Sequence, residues 1–188
     1  MRVIAGSAKG RELIAPKGMH TRPTLAKVKE AMFGMVQFDI PGASVLDLFS
    51  GSGALGIEAL SRGAERAVFC DADRQAASVV KSNLKRLGFE DMAEVSCCDS
   101  IALLQTLAER GQRFDLVLLD PPYETPLASS ALARLAELGL LNDGAILLCE
   151  YSPSNPPAFE GLPYTAKKPK KYGDTCVVYL TYNSEEQS

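Results

Sequence analysis

The chain has 188 residues, 46% of them hydrophobic, and a formal net charge of -3. This length and apolar content suit a single domain with a sizeable core, and no apolar run is long enough to cross a bilayer or to form the core of a signal peptide. The five cysteines form no CxxC pair, and the only histidine, His20, lies in a loop-like stretch, which disfavours disulfide, zinc and histidine-triad chemistry. We therefore expect a cytoplasmic protein without a metal centre.

Positive charge is concentrated near the two ends of the chain. Residues 1–38 contain seven Lys and Arg against two Glu, whereas the remaining residues carry 13 basic and 21 acidic side chains. A second basic cluster, Lys167–Lys171, contains four lysines. Because phosphate contacts need local positive potential rather than a high overall charge, such a protein can bind a polyanion on one face. A solvated charged surface is the alternative that charge alone leaves open.

Two short strand-like runs begin the chain. "RVIAG" and "RELIAP" flank "SAKG", a pattern that predicts a hairpin, and the following "TLAKVKEAMFGMV" places apolar side chains at helical spacing. We therefore predict a basic hairpin-and-helix extension over residues 1–40, ahead of a main domain over residues 41–183. The polar residues 184–188 are predicted to be a frayed tail.

From Ser44 onward, strand-like runs alternate with helical patterns. This alternation predicts an α/β fold with a mostly parallel central sheet and helices on both faces. The last run, "DTCVVYLTY", follows a Pro- and Ser-rich loop rather than a full helix, so we expect it to join the sheet antiparallel. The predicted strands before it are "SVLDLF", "RAVFCD", "AEVSCCD", "FDLVLLD" and "GAILLCEY". The predicted helices between them lie in "ALGIEALSRG", "DRQAASVVKSNLKRLG", "SIALLQTLAERG" and "LASSALARLAELGLL".

The first of these strands ends in a glycine-rich turn, "DLFSGSGALG". Gly51, Gly53 and Gly56 have GxGxxG spacing, and glycines at a strand-to-helix turn let a ligand approach the backbone closely. Asp71, at the end of the next strand, has the position of an acidic residue that binds ribose hydroxyls. A dinucleotide and an adenosyl ligand both fit this pattern.

Asp47, just before the glycines, distinguishes the two ligands. A carboxylate at this position would repel a pyrophosphate, whereas it would attract the ammonium and sulfonium groups of S-adenosylmethionine. The turn therefore favours a methyl donor over a nicotinamide or flavin dinucleotide.

A second motif, Asp120-Pro121-Pro122-Tyr123, follows the fourth predicted strand. It lies at the carboxyl edge of the sheet, where ligands of open α/β sheets bind. Two prolines fix the backbone and remove two N–H donors, so carbonyl oxygens and the Asp120 carboxylate can accept hydrogen bonds from a substrate amine. Tyr123 adds a ring that can stack on a planar base. A rigid turn with a rim aromatic is the structural alternative.

"DLFSGSG", "DPPY", "RVIAGSAKGRELIAP", "TRPT" and "VKEAMF" together resemble the bacterial small-subunit ribosomal RNA guanine-N2 methyltransferases of the RsmD type. The resemblance extends from Arg2 to about Tyr182. It implies a Rossmann-like class I fold and methyl transfer from S-adenosylmethionine to the exocyclic N2 amine of a guanine. The family's "VREALF" is "VKEAMF" here, so Lys29 replaces an arginine and lacks its bidentate geometry.

The resemblance also implies roles for individual residues. Asp47 with the turn at Gly51 and Gly53 would hold the methionine end of the donor, Asp71 the ribose, and Asp99 with Ser100 the adenine edge. Asp99 is equally suited to cap a helix. The expected donor-binding residues are Asp47, Phe49, Gly51, Gly53, Asp71, Asp99 and Ser100. The expected catalytic residues are Asp120, Pro121, Pro122 and Tyr123.

The implied partner is small-subunit ribosomal RNA, within an assembled particle, and the expected oligomeric state is a monomer. A base inside a duplex cannot enter such a pocket, so the target guanine must be unpaired or flipped. The candidate phosphate-binding residues are Arg2, Lys9, Arg11, Arg22, Lys167, Lys168, Lys170 and Lys171.

Two other functional classes remain open at this point. A DNA methyltransferase acting on adenine N6 or cytosine N4 uses the same donor and the same proline pair, although this chain has little room for a segment that reads DNA sequence. A non-catalytic RNA-binding assembly factor would retain the fold, but it would not need both motifs intact.

Overall fold

Eight strands form one sheet in the computed structural model, which describes residues 1–16 and 23–184. The strand order is β3-β2-β1-β4-β5-β8-β6, and β7 also pairs with β8. The first five strands are parallel, and β8 is antiparallel to β5, which confirms the predicted fold class. The strands are β1 (Ser44–Asp47), β2 (Arg66–Asp71), β3 (Ala93–Cys97), β4 (Phe114–Leu119), β5 (Leu141–Tyr151), β6 (Tyr164–Ala166), β7 (Lys170–Tyr172) and β8 (Thr175–Tyr182).

Five α-helices accompany this sheet in the described ranges. They are α1 (Pro23–Met35), α2 (Ala54–Ser61), α3 (Arg74–Leu87), α4 (Ser100–Glu109) and α5 (Leu127–Glu137), and a single 3-10 turn covers Glu90–Met92. No helix among the described residues is long and apolar enough to cross a membrane. Two residues singled out above, His20 and Arg22, and the last four residues of the predicted tail lie outside the described ranges.

Alternate residues of each strand face two separate apolar layers. In β4, Leu116 and Leu118 pack with α1, α2 and α3, whereas Val117 and Leu119 pack with α4 and α5. Because side chains alternate along a strand, a sheet covered on both faces needs apolar residues at every position. The run "LVLL" in β4 is therefore buried throughout, as the sequence predicted.

The far edge of the sheet differs from the prediction. The stretch predicted to be a loop leads into β6 at Tyr164, and the basic cluster leads into β7, so two three-residue strands pair with opposite ends of β8. Pro169 lies between them, and a proline cannot donate to a strand ladder. Both strands are too short to produce a periodic pattern in the sequence.

The N-terminal segment shares the apolar layer of α1, α2 and α3. Arg2 and Glu12 form an antiparallel bridge, with Val3 N–H donating to the Arg11 carbonyl at 3.0 Å, so the predicted hairpin exists as a single bridge rather than as two strands. Val3 and Leu13 are buried in the same cluster as α1 and α2. The division of the chain near residue 40 stays a prediction.

Glu58 of α2 joins this segment to the sheet domain. Its fully buried carboxylate accepts from the Ile4 and Ala5 N–H groups at 2.8 and 3.0 Å. It also pairs with Lys29 Nζ at 3.0 Å and with Arg62 Nε at 2.8 Å. A buried carboxylate is stable only when donors and opposite charges surround it. The N-terminal segment, α1 and α2 are therefore held together by one side chain.

Replacing Glu58 should destabilise the whole protein. In Glu58→Gln, the ammonium of Lys29 loses its buried partner, so we expect the free energy of unfolding in urea to fall by roughly 3 kcal/mol. The matched control is Glu137→Gln, which breaks an exposed pair with Arg134 and should change that free energy by less than roughly 0.5 kcal/mol. Similar losses in the two variants would contradict a special role for Glu58.

Candidate methyl-donor and amine site

The glycine turn between β1 and α2 needs glycine for two different reasons. Gly53, at the amino end of α2, has a φ of 78°, a left-handed conformation that other residues rarely adopt. A side chain at Gly56 would place its Cβ 2.3 Å from the Phe69 ring and 3.1 Å from Asp47 Oδ2. Gly51 N–H donates to Asp71 Oδ2 at 2.8 Å, so the turn is bonded to the end of β2.

Asp47 lies beneath this turn. Its Oδ2 accepts from Gly56 N–H at 2.9 Å, and its Oδ1 is buried without a hydrogen-bond partner among the described residues. Burial raises the pKa of the Asp47 carboxyl to about 7, against the lowering effect of the Gly56 hydrogen bond. An orphaned, buried acceptor of this kind is suited to a cationic ligand, which would favour its ionised form.

A cavity of about 790 Å³ opens at the carboxyl edge of the sheet. Five of the residues predicted to bind the donor line this cavity, namely Phe49, Gly51, Asp71, Asp99 and Ser100. The whole run Asp120–Tyr123 lines it as well. Asp47 and Gly53, which were also predicted to bind the donor, are not part of the lining. No group of three or more His, Cys, Asp or Glu that could hold a metal ion occurs in the described part of the chain.

Two acidic residues of this wall also have structural roles. Asp71 accepts from Gly51 N–H and, through Oδ1, from Asp73 N–H at 2.9 Å. Asp99 caps α4 by accepting from Ala102 N–H at 2.9 Å, which is the structural alternative noted for it. A carboxylate has more than two acceptor positions, so capping and ligand binding are compatible.

The Asp120–Tyr123 run presents acceptors to the cavity. Burial, and then the negative charges of Glu150 and Asp47, hold the pKa of the Asp120 carboxyl well above its usual range. Thr125 occupies the Pro122 carbonyl, with its N–H at 3.3 Å and its hydroxyl at 2.8 Å. The Pro121 carbonyl makes no such hydrogen bond within the described ranges. Of the two proline carbonyls, that of Pro121 is therefore the one available to a ligand.

Three residues that the sequence analysis missed surround Tyr123. Its hydroxyl donates to Glu150 Oε1 at 2.8 Å and makes a short hydrogen bond with Thr175, while Asn155 donates to the Tyr123 carbonyl at 2.7 Å. Burial, followed by the hydrogen bond and charge of Glu150, raises the pKa of the Tyr123 hydroxyl, against the lowering effect of the Thr175 hydrogen bond. Loops and strands distant in sequence thus fix the ring at the cavity rim, with 37% of the residue exposed.

The N-terminal segment and α1 also line the cavity. Their lining residues are Met1, Arg2 and Ile4 of the segment and Ala26 and Lys29 of α1. Lys29 Nζ donates to the Arg2 carbonyl at 2.9 Å and pairs with Glu58, and burial lowers the pKa of this ammonium. Lys29, which replaces the family's arginine, therefore joins α1 to the Arg2 backbone through an internal hydrogen bond.

The other predicted phosphate-binding residues within the described ranges are exposed. Lys9 and Arg11 lie on the N-terminal segment, where Arg11 also donates to the Arg86 carbonyl at 2.8 Å. Lys167 lies 3.7 Å from the centre of the Tyr179 ring, and Lys170 and Lys171 belong to β7. β7 contacts α1, whereas Arg11 lies against the carboxyl end of α3, so the two groups of basic residues lie against different helices.

Comparisons with known proteins show the family to which this chain belongs. The family model described as "Conserved hypothetical protein 95" matches residues 1–181. The provisionally named rRNA methyltransferase YlbH of Bacillus subtilis is 44% identical over 80% of this chain and 82% of its own length. Ribosomal RNA small subunit methyltransferase D of Haemophilus influenzae is 36% identical over 83% and 81%.

Two solved structures share the fold. The provisionally named methyltransferase yhhF of Escherichia coli has a TM-score of 0.85 and 29% identity, covering 98% of this chain and 99% of its own. An RNA methyltransferase of Salinibacter ruber in complex with S-adenosyl-L-homocysteine has a TM-score of 0.66, 19% identity and coverage of 89% and 95%, a likeness of fold alone. The chain therefore belongs to the Conserved hypothetical protein 95 family, the RsmD type that its motifs indicated.

Proposed function

We propose that this protein transfers a methyl group from S-adenosylmethionine to the exocyclic N2 amine of a guanine in small-subunit ribosomal RNA. The observation that carries the proposal is that the glycine turn and the Asp120–Tyr123 run line one cavity. The rRNA methyltransferases among the relatives support the reaction and the RNA class. We further propose that it acts as a monomer, in the cytoplasm, on an assembled or assembling small subunit.

The cavity suits a cationic methyl donor. Asp71, Asp120 and Glu150 line it, and the unpartnered oxygen of Asp47 lies behind its glycine turn, so several carboxylates act on one ligand. When bound there, S-adenosylmethionine would supply an electrophilic methyl group and two positive charges that relieve the repulsion among these carboxylates. Asp71 would accept from ribose hydroxyls, and Ser100 and Asp99 would contact the adenine.

The Asp120–Tyr123 run would orient the substrate amine. The lone pair of a guanine N2 is delocalised into the ring, and accepting its two protons at the Asp120 carboxylate and the Pro121 carbonyl makes the nitrogen more tetrahedral. The nitrogen then attacks the methyl carbon; the N–C bond forms as the C–S bond breaks, with its electron pair remaining on sulfur. Asp120 would take the proton that the nitrogen releases. Positioning and electrostatics supply the catalysis, without a covalent enzyme intermediate.

The first experiment is transfer of tritium from labelled S-adenosylmethionine to small ribosomal subunits, naked small-subunit RNA and duplex DNA. The substrates come from a strain that lacks this gene, and the products are digested to nucleosides. We expect label in N2-methylguanosine. Label in methylated adenine or cytosine of DNA would favour the alternative enzyme, and no label in any substrate would favour a non-catalytic binding factor.

Asp120→Ala should separate catalysis from donor binding. Removing the carboxylate leaves one amine proton unaccepted, so we expect the rate of transfer to fall by at least roughly 100-fold. The affinity for S-adenosylhomocysteine, measured by calorimetry, should change little, because that ligand lacks the transferred methyl group. Near wild-type turnover in the variant would refute the role of Asp120.

Binding of S-adenosylmethionine should strengthen as the pH rises through about 7, because the Asp47 carboxyl has a pKa of about 7 and a cation favours its ionised form. Between pH 6 and pH 8, we expect the Kd from calorimetry to fall several-fold. Asp47→Asn retains an acceptor for Gly56 N–H but cannot ionise, so it should flatten this dependence. The same pH dependence in wild type and variant would exclude Asp47 as its source.

Neutralising the basic cluster should weaken RNA binding. We expect the change of Lys167, Lys168, Lys170 and Lys171 to Gln to reduce the slope of log affinity against log salt by roughly 0.7 for each phosphate that the protein no longer neutralises. Arg113→Gln, just before β4 at the amino edge of the sheet, is the control and should leave the slope unchanged. An unaltered slope in the lysine variant would mean that these residues form only a solvated surface.

A further inference from the structure

Glu150 occupies a position beside Asp120 that none of the predicted motifs includes. Leu119 of β4 pairs with Cys149 of β5 in parallel register. The residues that follow them, Asp120 and Glu150, therefore lie side by side. Neighbouring strands lie roughly 4.8 Å apart, which places the two carboxylates at the same part of the cavity. Both residues line the cavity, where their free oxygens would face a bound ligand.

One oxygen of Glu150 is held and the other is free. Oε1 accepts from the Tyr123 hydroxyl at 2.8 Å, and the Thr175 hydroxyl lies 3.3 Å from the same atom. Within the described ranges, Oε2 makes no hydrogen bond. Unlike Oδ1 of Asp47, it is not fully buried. Burial raises the pKa of the Glu150 carboxyl, while the Tyr123 and Thr175 hydrogen bonds oppose that shift. Both hydrogen bonds engage Oε1, so Oε2 is left to accept from a ligand.

Two adjacent acceptors match one nucleobase edge. The Watson–Crick edge of guanine presents two neighbouring donors, the N1–H and the N2 amine. Adenine offers its N6 amine beside the acceptor N1, and cytosine its N4 amine beside the acceptor N3. A carboxylate facing N1 of adenine or N3 of cytosine would set two acceptors against each other, and a buried polar mismatch of this kind is strongly rejected.

We propose that Glu150 determines specificity for guanine, with Oε2 accepting from N1–H while Asp120 accepts from the N2 amine. This inference rests on the proposed function and adds to it the residue that selects the base. Tyr123 and Thr175 act as positioning residues, because they hold Glu150 rather than the base edge. Asp120 alone would accept an amine from any of the three bases, so the choice among them falls to its neighbour.

The test compares two methyl-accepting bases, guanine and 2-aminopurine, which differ in whether N1 donates or accepts and in the O6 oxygen that only guanine has. Small subunits are prepared with RNA that carries either guanine or 2-aminopurine at the mapped methylation site. 2-Aminopurine keeps the N2 amine but has an acceptor at N1. We expect the wild-type protein to methylate guanine faster by roughly 100-fold. In Glu150→Gln, the side-chain amide can donate to that N1, so the preference should fall by at least roughly tenfold.

Two further variants make the result specific. Glu137→Gln removes an exposed carboxylate at the end of α5 and should keep the wild-type preference. Tyr123→Phe removes the donor to Oε1 but keeps the Glu150 carboxylate, so it should slow transfer while retaining more of the preference than Glu150→Gln does. Thermal unfolding and binding of S-adenosylhomocysteine verify that Glu150→Gln folds and binds the donor product.

The outcomes separate this inference from the proposed function. Wild-type transfer to guanine with the same preference in Glu150→Gln would overturn the role of Glu150 and leave the proposed function intact. A preference lost in Tyr123→Phe but retained in Glu150→Gln would also overturn direct contact by Glu150. Absence of N2-methylguanosine with the wild-type protein would instead overturn the proposed function itself.

Discussion

Parallel strand pairing brings the acidic side chains of this protein to one edge. Asp47, Asp71, Asp120 and Glu150 lie at the carboxyl ends of β1, β2, β4 and β5, and in a parallel sheet those ends necessarily meet. Burial raises the pKa values of the Asp47, Asp120 and Glu150 carboxyls, and neighbouring carboxylates add to the rise at Asp47 and Asp120. The site is thereby prepared for a positively charged ligand before any ligand arrives, because the ligand removes a repulsion that folding has already imposed.

Much of this arrangement follows from local sequence patterns. The order of strands and helices was predictable from Ser44 onward because apolar strand-like runs alternate with helical patterns, and the central strands β1, β2, β4 and β5 bury apolar residues on both faces. The glycine turn and the Asp120–Tyr123 run were identified because glycines and prolines at fixed spacing after a strand are visible in the local sequence. Asp99 was expected either to cap a helix or to bind the donor. It caps α4, and it also lines the cavity.

The parts that the sequence did not predict depend on contacts between distant segments. Glu150 lies in an apolar run, and only the register of β5 against β4 shows that it lies beside Asp120. Lys29 stood out in the sequence only as a replacement for an arginine, yet it is buried against Glu58. The small strands β6 and β7 exist because β8 offers them an edge, and three residues carry too little periodicity to reveal that.

The interrupted edge of the sheet has a consequence for solubility. Without neighbours on its outer side, the apolar strand β8 would expose a long row of unpaired backbone N–H and C=O groups. Such an edge pairs with strands of other molecules. The short strands β6 and β7 cover it, while Pro169 and the lysines around it make the new outer edge a poor template for pairing. The lysines proposed to bind RNA are therefore also residues of a kind that disfavours strand pairing at this edge.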